Sequence, residues 1–157
     1  MQTAYIKSPL GITEIIGDEK GISVISILDS EKEITLEIPE FLQEAVAQLN
    51  DYFIGKPNEF TFKMNPKGTE FQQKVWQELR NIPFGKTMSY LELSKKLGDV
   101  KAIRAVASAN GKNPLWIVVP CHRIIGTDGS LTGYAGGLWR KKWLLKHENP
   151  THQQRLF

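Results

Sequence analysis

The chain is short of sulfur nucleophiles and of histidine. Cysteine occurs once, at Cys121, and the three histidines are scattered at His122, His147 and His152. One cysteine excludes an internal disulfide, and this cysteine and histidine set excludes a Cys-rich zinc site, so no metal is expected. No run approaches the roughly eighteen apolar residues of a membrane span, and no membrane association is expected. The opening stretch, MQTAYIKSPLG, lacks the basic start and apolar core of a secretion signal, which points to the cytoplasm. No low-complexity tract or internal repeat is visible. What is there is an ordinary globular composition, 41% apolar and 24% charged over 157 residues. That length suits one domain or two small lobes sharing a core.

Net charge is +3, but it is unevenly placed. Residues 1–66 carry 5 Lys and Arg against 11 Asp and Glu, a balance of −6, and residues 86–148 carry 11 against 4, a balance of +7. A basic second half facing a polyanion, with the acidic half turned away, is the arrangement such a split suggests.

The first third reads as a small sheet with a helix. β-Branched runs at 3–6, 13–16, 22–28 and 34–38 are separated by turn residues. Pro39 opens a helix in which Phe41, Leu42, Ala45, Val46 and Leu49 recur at helical spacing. A further strand is expected at 60–64, before the linker Asn65-Pro66-Lys67-Gly68. The boundary between an N-terminal α/β lobe, 1–66, and a C-terminal lobe, 67–157, is placed there.

The second lobe is mostly helical. Thr69 caps a helix with Phe71, Val75, Trp76 and Leu79 on one face. Ser89-Tyr90-Leu91-Glu92 has capping-box spacing and starts a short helix, and Gly98-Asp99 turns the chain into another over 100–109. Two short helices joined through a glycine describe a helix-turn-helix. In the second, Ile103, Val106 and Ala107 are expected inward, and Lys101, Arg104, Ala105 and Ser108 outward. Two cations beside two small residues let a backbone approach DNA closely. From Trp116 to Val119 the chain reads as a buried strand, and 124–127 with 130–132 as a hairpin around Asp128-Gly129. The glycine-rich loop 133–137 leads to a final basic helix, 138–148, with Trp143 and Leu144 inward.

Pro120-Cys121-His122-Arg123 places the one thiol beside an imidazole. A thiolate is the reactive form, and at an ordinary pKa of about 8.5 little of it exists at neutral pH without a helping base. From this pair alone, Cys121 is either a small buried hydrophobe or a nucleophile.

The segments FQQKVWQELRNIPFGKTMSYLELSKKLG, AIRAVASANGKNP and NPLWIVVPCHRIIGTDGSLTGYAGGLWRKKWLLKHE resemble the O6-alkylguanine-DNA alkyltransferases, also called methylated-DNA-protein-cysteine methyltransferases. The resemblance runs nearly unbroken from Gly68 to Glu148, and residues 1–66 share only the strand and helix order of the N-terminal lobe. The implied fold is α+β, a ribonuclease-H-like α/β lobe with a small sheet followed by a mostly helical lobe containing the helix-turn-helix. The implied activity is stoichiometric, irreversible transfer of an alkyl group from O6-alkylguanine in double-stranded DNA to Cys121, with O4-alkylthymine a second candidate lesion. Nothing in the chain breaks the resulting thioether, so the protein is expected to act once, and no cofactor is expected.

The resemblance also implies roles. Cys121 is the nucleophile, His122 its base through a water, Glu148 the partner of the far side of the ring, and Asn113 the hinge asparagine of the same network. Arg104 is the finger that fills the space left by an everted base, supported on the DNA face by Lys101, Ala105 and Ser108. Tyr90 crowds the phosphate and offers its hydroxyl to guanine N3. Tyr134, Ala135, Gly136, Gly137 and the carbonyl of Ile124 form the substrate pocket, and Lys141 lies near it. Arg123 is read as a local structural tie. Clustering of copies along DNA is compatible with this reading, and the protein is expected to be a monomer. The alternatives are a non-catalytic, alkyltransferase-like lesion-binding protein, a helix-turn-helix regulator and a Cys-His hydrolase.

Overall fold

The computed structural model describes residues 1–56, 59–131, 134 and 136–150. Its chain divides into two compact units: residues 1–67 with 114–116, and residues 68–113 with the chain from 117 onward.

The first unit is built on an antiparallel meander of β1 (Gln2–Ser8), β2 (Gly11–Asp18) and β3 (Gly21–Leu28). Alternate side chains, Ala4, Ile6, Thr13 and Ile15, point into the core, as period-two patterning requires. α1 (Gln43–Phe53), entered through a 3-10 turn at Glu40–Leu42, covers that face with Ala45, Val46, Leu49, Tyr52 and Phe53.

Two expected strands are absent from the unit. The 34–38 segment is hydrogen-bonded to β1 through Thr35, whose N–H donates to the Tyr5 carbonyl and whose Oγ1 accepts from the Tyr5 N–H. Ile34 and Leu36 are exposed, so the segment has no apolar face to hold a longer ladder. The 60–64 run forms one parallel bridge, Ile22 to Met64. A second single bridge, Ile25 to Leu115, lies farther along β3. Together the two bridges occupy part of an edge that would otherwise offer free backbone groups.

In the second unit, α2 (Glu70–Arg80) starts at a complete capping box, Thr69 with Gln72. Trp76, on its buried face, donates its indole N–H to the Ala109 carbonyl at 2.9 Å. β4 (Met88–Ser89) leads through a second capping box, Ser89 with Glu92, into α3 (Tyr90–Lys96). Asp99 caps a 3-10 turn, Val100–Ala102, that continues into α4 (Ile103–Gly111). α3 and α4 pack together as the helix-turn-helix.

Three expectations change here. Residues 116–119 are buried but form a turn, with Ile117 at φ 71. A β-branched residue in the left-handed region costs on the order of 1–3 kcal/mol and must be held by its surroundings. The expected hairpin is also absent among the described residues: β5 (Ile124–Ile125) pairs in parallel with β4, and Gly126 to Ser130 closes only a turn. α5 (Leu138–Glu148) buries Arg140, Lys141, Leu144, Leu145 and Glu148, while Trp143 is half-buried. No helix among the described residues is long and apolar enough to cross a membrane.

Candidate active site and nucleic-acid interface

Pro120 ends the buried turn, and residues 121–123 form one turn of 3-10 helix, closed by the Arg123 N–H on the Pro120 carbonyl at 3.0 Å. That turn decides how Cys121 and His122 are presented. In an extended strand the two side chains would point to opposite faces, whereas a tight turn fans them toward neighbouring parts of one interior. Both are buried, Cys121 at 8% exposure and His122 at 0%.

The imidazole Nε2 lies 2.6 Å from Glu148 Oε2. Glu148 is the last residue of α5, where the helix dipole disfavours a carboxylate, and the Arg123 guanidinium and the His122 N–H offset this. Arg123 donates from Nε to Oε1 at 2.7 Å and from Nη2 to Oε2 at 3.0 Å, and its Nη1 reaches the Ile82 carbonyl at 2.7 Å. Burial pushes the Glu148 carboxyl up, but the hydrogen bonds from His122 and Arg123 and the charge of Arg123 outweigh it and hold the group well below the usual carboxylate range. Burial lowers the His122 pKa, against the pull of Glu148, and keeps the ring neutral. A charged carboxylate accepts only, so Nε2 carries the proton and Nδ1 is the free lone pair. His122 Nδ1 is buried and has no hydrogen-bond partner among the described residues.

Around the sulfur, burial raises the Cys121 pKa, while hydrogen bonds from Asn113 and Tyr134 and the charge of Lys141 pull it down. Asn113 also donates from Nδ2 to the Val119 carbonyl at 2.6 Å, tying the ends of the turn before the thiol. Lys141 is 1% exposed, and its Nζ donates to the Ile124 carbonyl at 2.5 Å. Burial brings its pKa down to about 8, partly opposed by the neighbouring cysteine. Gly136 is buried and its carbonyl accepts from Arg140 Nη1 at 2.9 Å. Gly137 caps α5 at φ 92, a conformation that suits glycine. Ala135 lies outside the described residues.

The residues expected to face DNA lie on α4 and the turn before it. Lys101, Arg104, Ala105 and Ser108 are exposed, with Val106, Ala109 and Asn110 buried behind them. Ile103 and Ala107, expected inward, are half-exposed, because the buried face is centred one turn further along. Tyr90, half-buried at the start of α3, accepts a hydrogen bond from Asn110 Nδ2 at 3.2 Å on its hydroxyl oxygen, leaving the hydroxyl proton free to point elsewhere.

Sequence reasoning read Arg123 as a local tie without its partner Glu148, and missed Arg140. Both are charged residues turned inward, and the available signal was in α5, where Arg140, Lys141, Leu144, Leu145 and Glu148 share one face despite their charges.

A helix-turn-helix and a buried, histidine-flanked thiol within one unit define the class: a DNA-binding protein that carries its own nucleophile. The family profile of the 6-O-methylguanine DNA methyltransferase DNA binding domain matches residues 70–150, and that of the ribonuclease-like domain of the same proteins matches residues 1–66. The chain belongs to the 6-O-methylguanine DNA methyltransferase family. It is 46% identical to the methylated-DNA-protein-cysteine methyltransferase of Methanosarcina acetivorans, over 94% of this chain and 98% of that protein. The fold is similar to that of Mycobacterium tuberculosis O6-methylguanine methyltransferase, with TM-score 0.82 and 42% identity over 95% of this chain and 94% of that one. It is also similar to the Mycobacterium tuberculosis OGT in complex with DNA, with TM-score 0.85 and 40% identity over 99% and 95%.

Proposed function

We propose that this protein repairs O6-alkylguanine in duplex DNA by moving the alkyl group irreversibly to Cys121. The observation that carries the reading is the buried His122 ring, held by Glu148 at 2.6 Å and next in the chain to its one cysteine. His122 Nδ1 takes the thiol proton through a water, and the thiolate attacks the O-linked carbon. A C–S bond forms, the C–O6 bond breaks, and guanine leaves with that electron pair and one proton in total. Tyr90 donates toward guanine N3 and lowers the charge on the departing base. Lys141 and Asn113 favour the thiolate form.

The target base is unreachable inside the stack and must be everted, at a cost of a few kcal/mol. Arg104 fills the vacated space, and Lys101, Ala105 and Ser108 let α4 approach the groove. Tyr134, Gly136, Gly137 and the Ile124 carbonyl line the pocket, with Lys141 already holding one lone pair of that carbonyl. The protein acts in the cytoplasm, where reducing conditions keep a lone thiol free. The opposite charges of residues 1–66 and 86–148 would let copies cluster along one duplex.

The test is the mass of the intact protein after incubation with a duplex containing O6-methylguanine. One added methylene on the peptide containing Cys121, absent in Cys121→Ser, is expected. Tight binding of the lesion duplex with unchanged mass would instead select the lesion-binding alternative.

A further inference from the structure

We infer that Arg123 is a positioning residue of the reaction: by holding both oxygens of Glu148, it fixes His122 as the neutral, Nε2-protonated tautomer whose Nδ1 receives the thiol proton. The inference rests on the proposed transfer to Cys121 and assigns Arg123 a part in it beyond tying loops together.

Glu148 spends Oε1 on Arg123 Nε and shares Oε2 between Arg123 Nη2 and His122 Nε2. The guanidinium is itself immobilised, since Nη1 is fixed by the Ile82 carbonyl and the Phe84 ring lies 5.8 Å from its centre. A planar fork bound at both ends orients a carboxylate in a way that a lysine cannot. The charge count matters as much. A buried carboxylate facing only an imidazole would draw a proton onto that ring, and an imidazolium cannot act as a base. With Arg123 in place the carboxylate is already neutralised, so His122 meets an ion pair of no net charge and has no reason to ionise. Among the described residues, the other charged group acting on His122 is Lys141, from α5, and Cys121 is its neighbour on the same turn. Lys141 also disfavours a charged ring.

The experiment uses the full chain and needs no DNA. Long-range proton–nitrogen spectra of the histidine rings, assigned with His122→Gln among only three histidines, report the tautomer and its titration. In parallel, the rate of Cys121 alkylation by iodoacetamide is followed against pH. In the native protein His122 should be Nε2-protonated and neutral through its ordinary pKa of 6.5. In Arg123→Gln the His122–Glu148 pair should bind its proton about one to three pH units higher, with alkylation several-fold slower near neutrality. Arg123→Lys should show a partial shift, because it keeps the charge and loses the fork.

A native His122 protonated on Nδ1 overturns the inference even if neither variant folds. So does an Arg123→Gln protein with native circular dichroism and unchanged ring titration and alkylation profile. Failure to accept a methyl group from DNA, with these ring signatures intact, would count against the proposed function alone.

Discussion

Replacing Glu148 by Gln is the sharpest perturbation this site allows, because it keeps the shape and removes only the charge and one acceptor. In the native protein both carboxylate oxygens accept hydrogen bonds, Oε1 from Arg123 and Oε2 from Arg123 and His122. A glutamine offers one oxygen and one NH2. Turned either way, its NH2 meets a donor of Arg123 or His122, and the buried guanidinium loses its counter-charge. Breaking a buried pair in this way costs about 3–5 kcal/mol, which for a protein of this size lowers the melting temperature by about 6–20 °C.

The pH dependence carries a sign that checks the cause. The folded Glu148 carboxyl lies far below its ordinary value of 4.5, so the stability it contributes is complete above pH 4.5 and is lost as pH falls below that. His122 is neutral in the fold and charges in the unfolded chain below pH 6.5, so native stability should decline in acid in two stages. Glu148→Gln should keep the first stage and lose the second. Thermal melts from neutral to acid pH, followed by circular dichroism, supply both readings. A midpoint within about 2 °C of the native protein at neutral pH, or an unchanged acid limb, would refute the claim that this carboxylate carries the site's cations.

Two further outcomes follow from the same geometry. Charging Lys141 in the fold is penalised over the interval from about 8 to 10.5, worth about 3 kcal/mol, and its bond to the Ile124 carbonyl returns about 1 kcal/mol. Lys141→Met should therefore be as stable as the native protein or more so by up to about 2 kcal/mol below pH 8. It should also lose the native gain in stability between pH 8 and 10.5, and its Cys121 should alkylate more slowly at neutral pH; a large drop in melting temperature would contradict this. Arg104→Ala should slow methyl transfer from duplex DNA about tenfold or more, in keeping with a kilocalorie or two of the eversion cost. Its reaction with free O6-benzylguanine should be unchanged, and an equal loss on the free base would remove Arg104 from the eversion step.

Local chemistry was legible from the residues alone. The Thr69 cap and the Ser89–Glu92 capping box are contacts between residues three apart, and the three meander strands follow from alternation and turn residues within a few positions. The exposed face of α4 with Arg104 and the adjacency of Cys121 and His122 in the chain could be read in the same way. The family resemblance supplied Glu148 as the histidine's partner. No pattern in the residues showed that Arg123 would bind that carboxylate, that Lys141 would be buried, or that residues 116–119 would turn rather than extend.

The chain's own order thus determined which residues are helix caps, strand faces and reactive groups, since each of these depends on neighbours a few positions away. Tertiary structure decided how they are charged. His122 and Arg123 meet Glu148 across 26 and 25 residues, and it is burial together with those long-range partners that sets which group ionises. Hydrophobic patterning predicts burial by penalising charge, so it misplaces charged side chains that the fold neutralises by bringing them together.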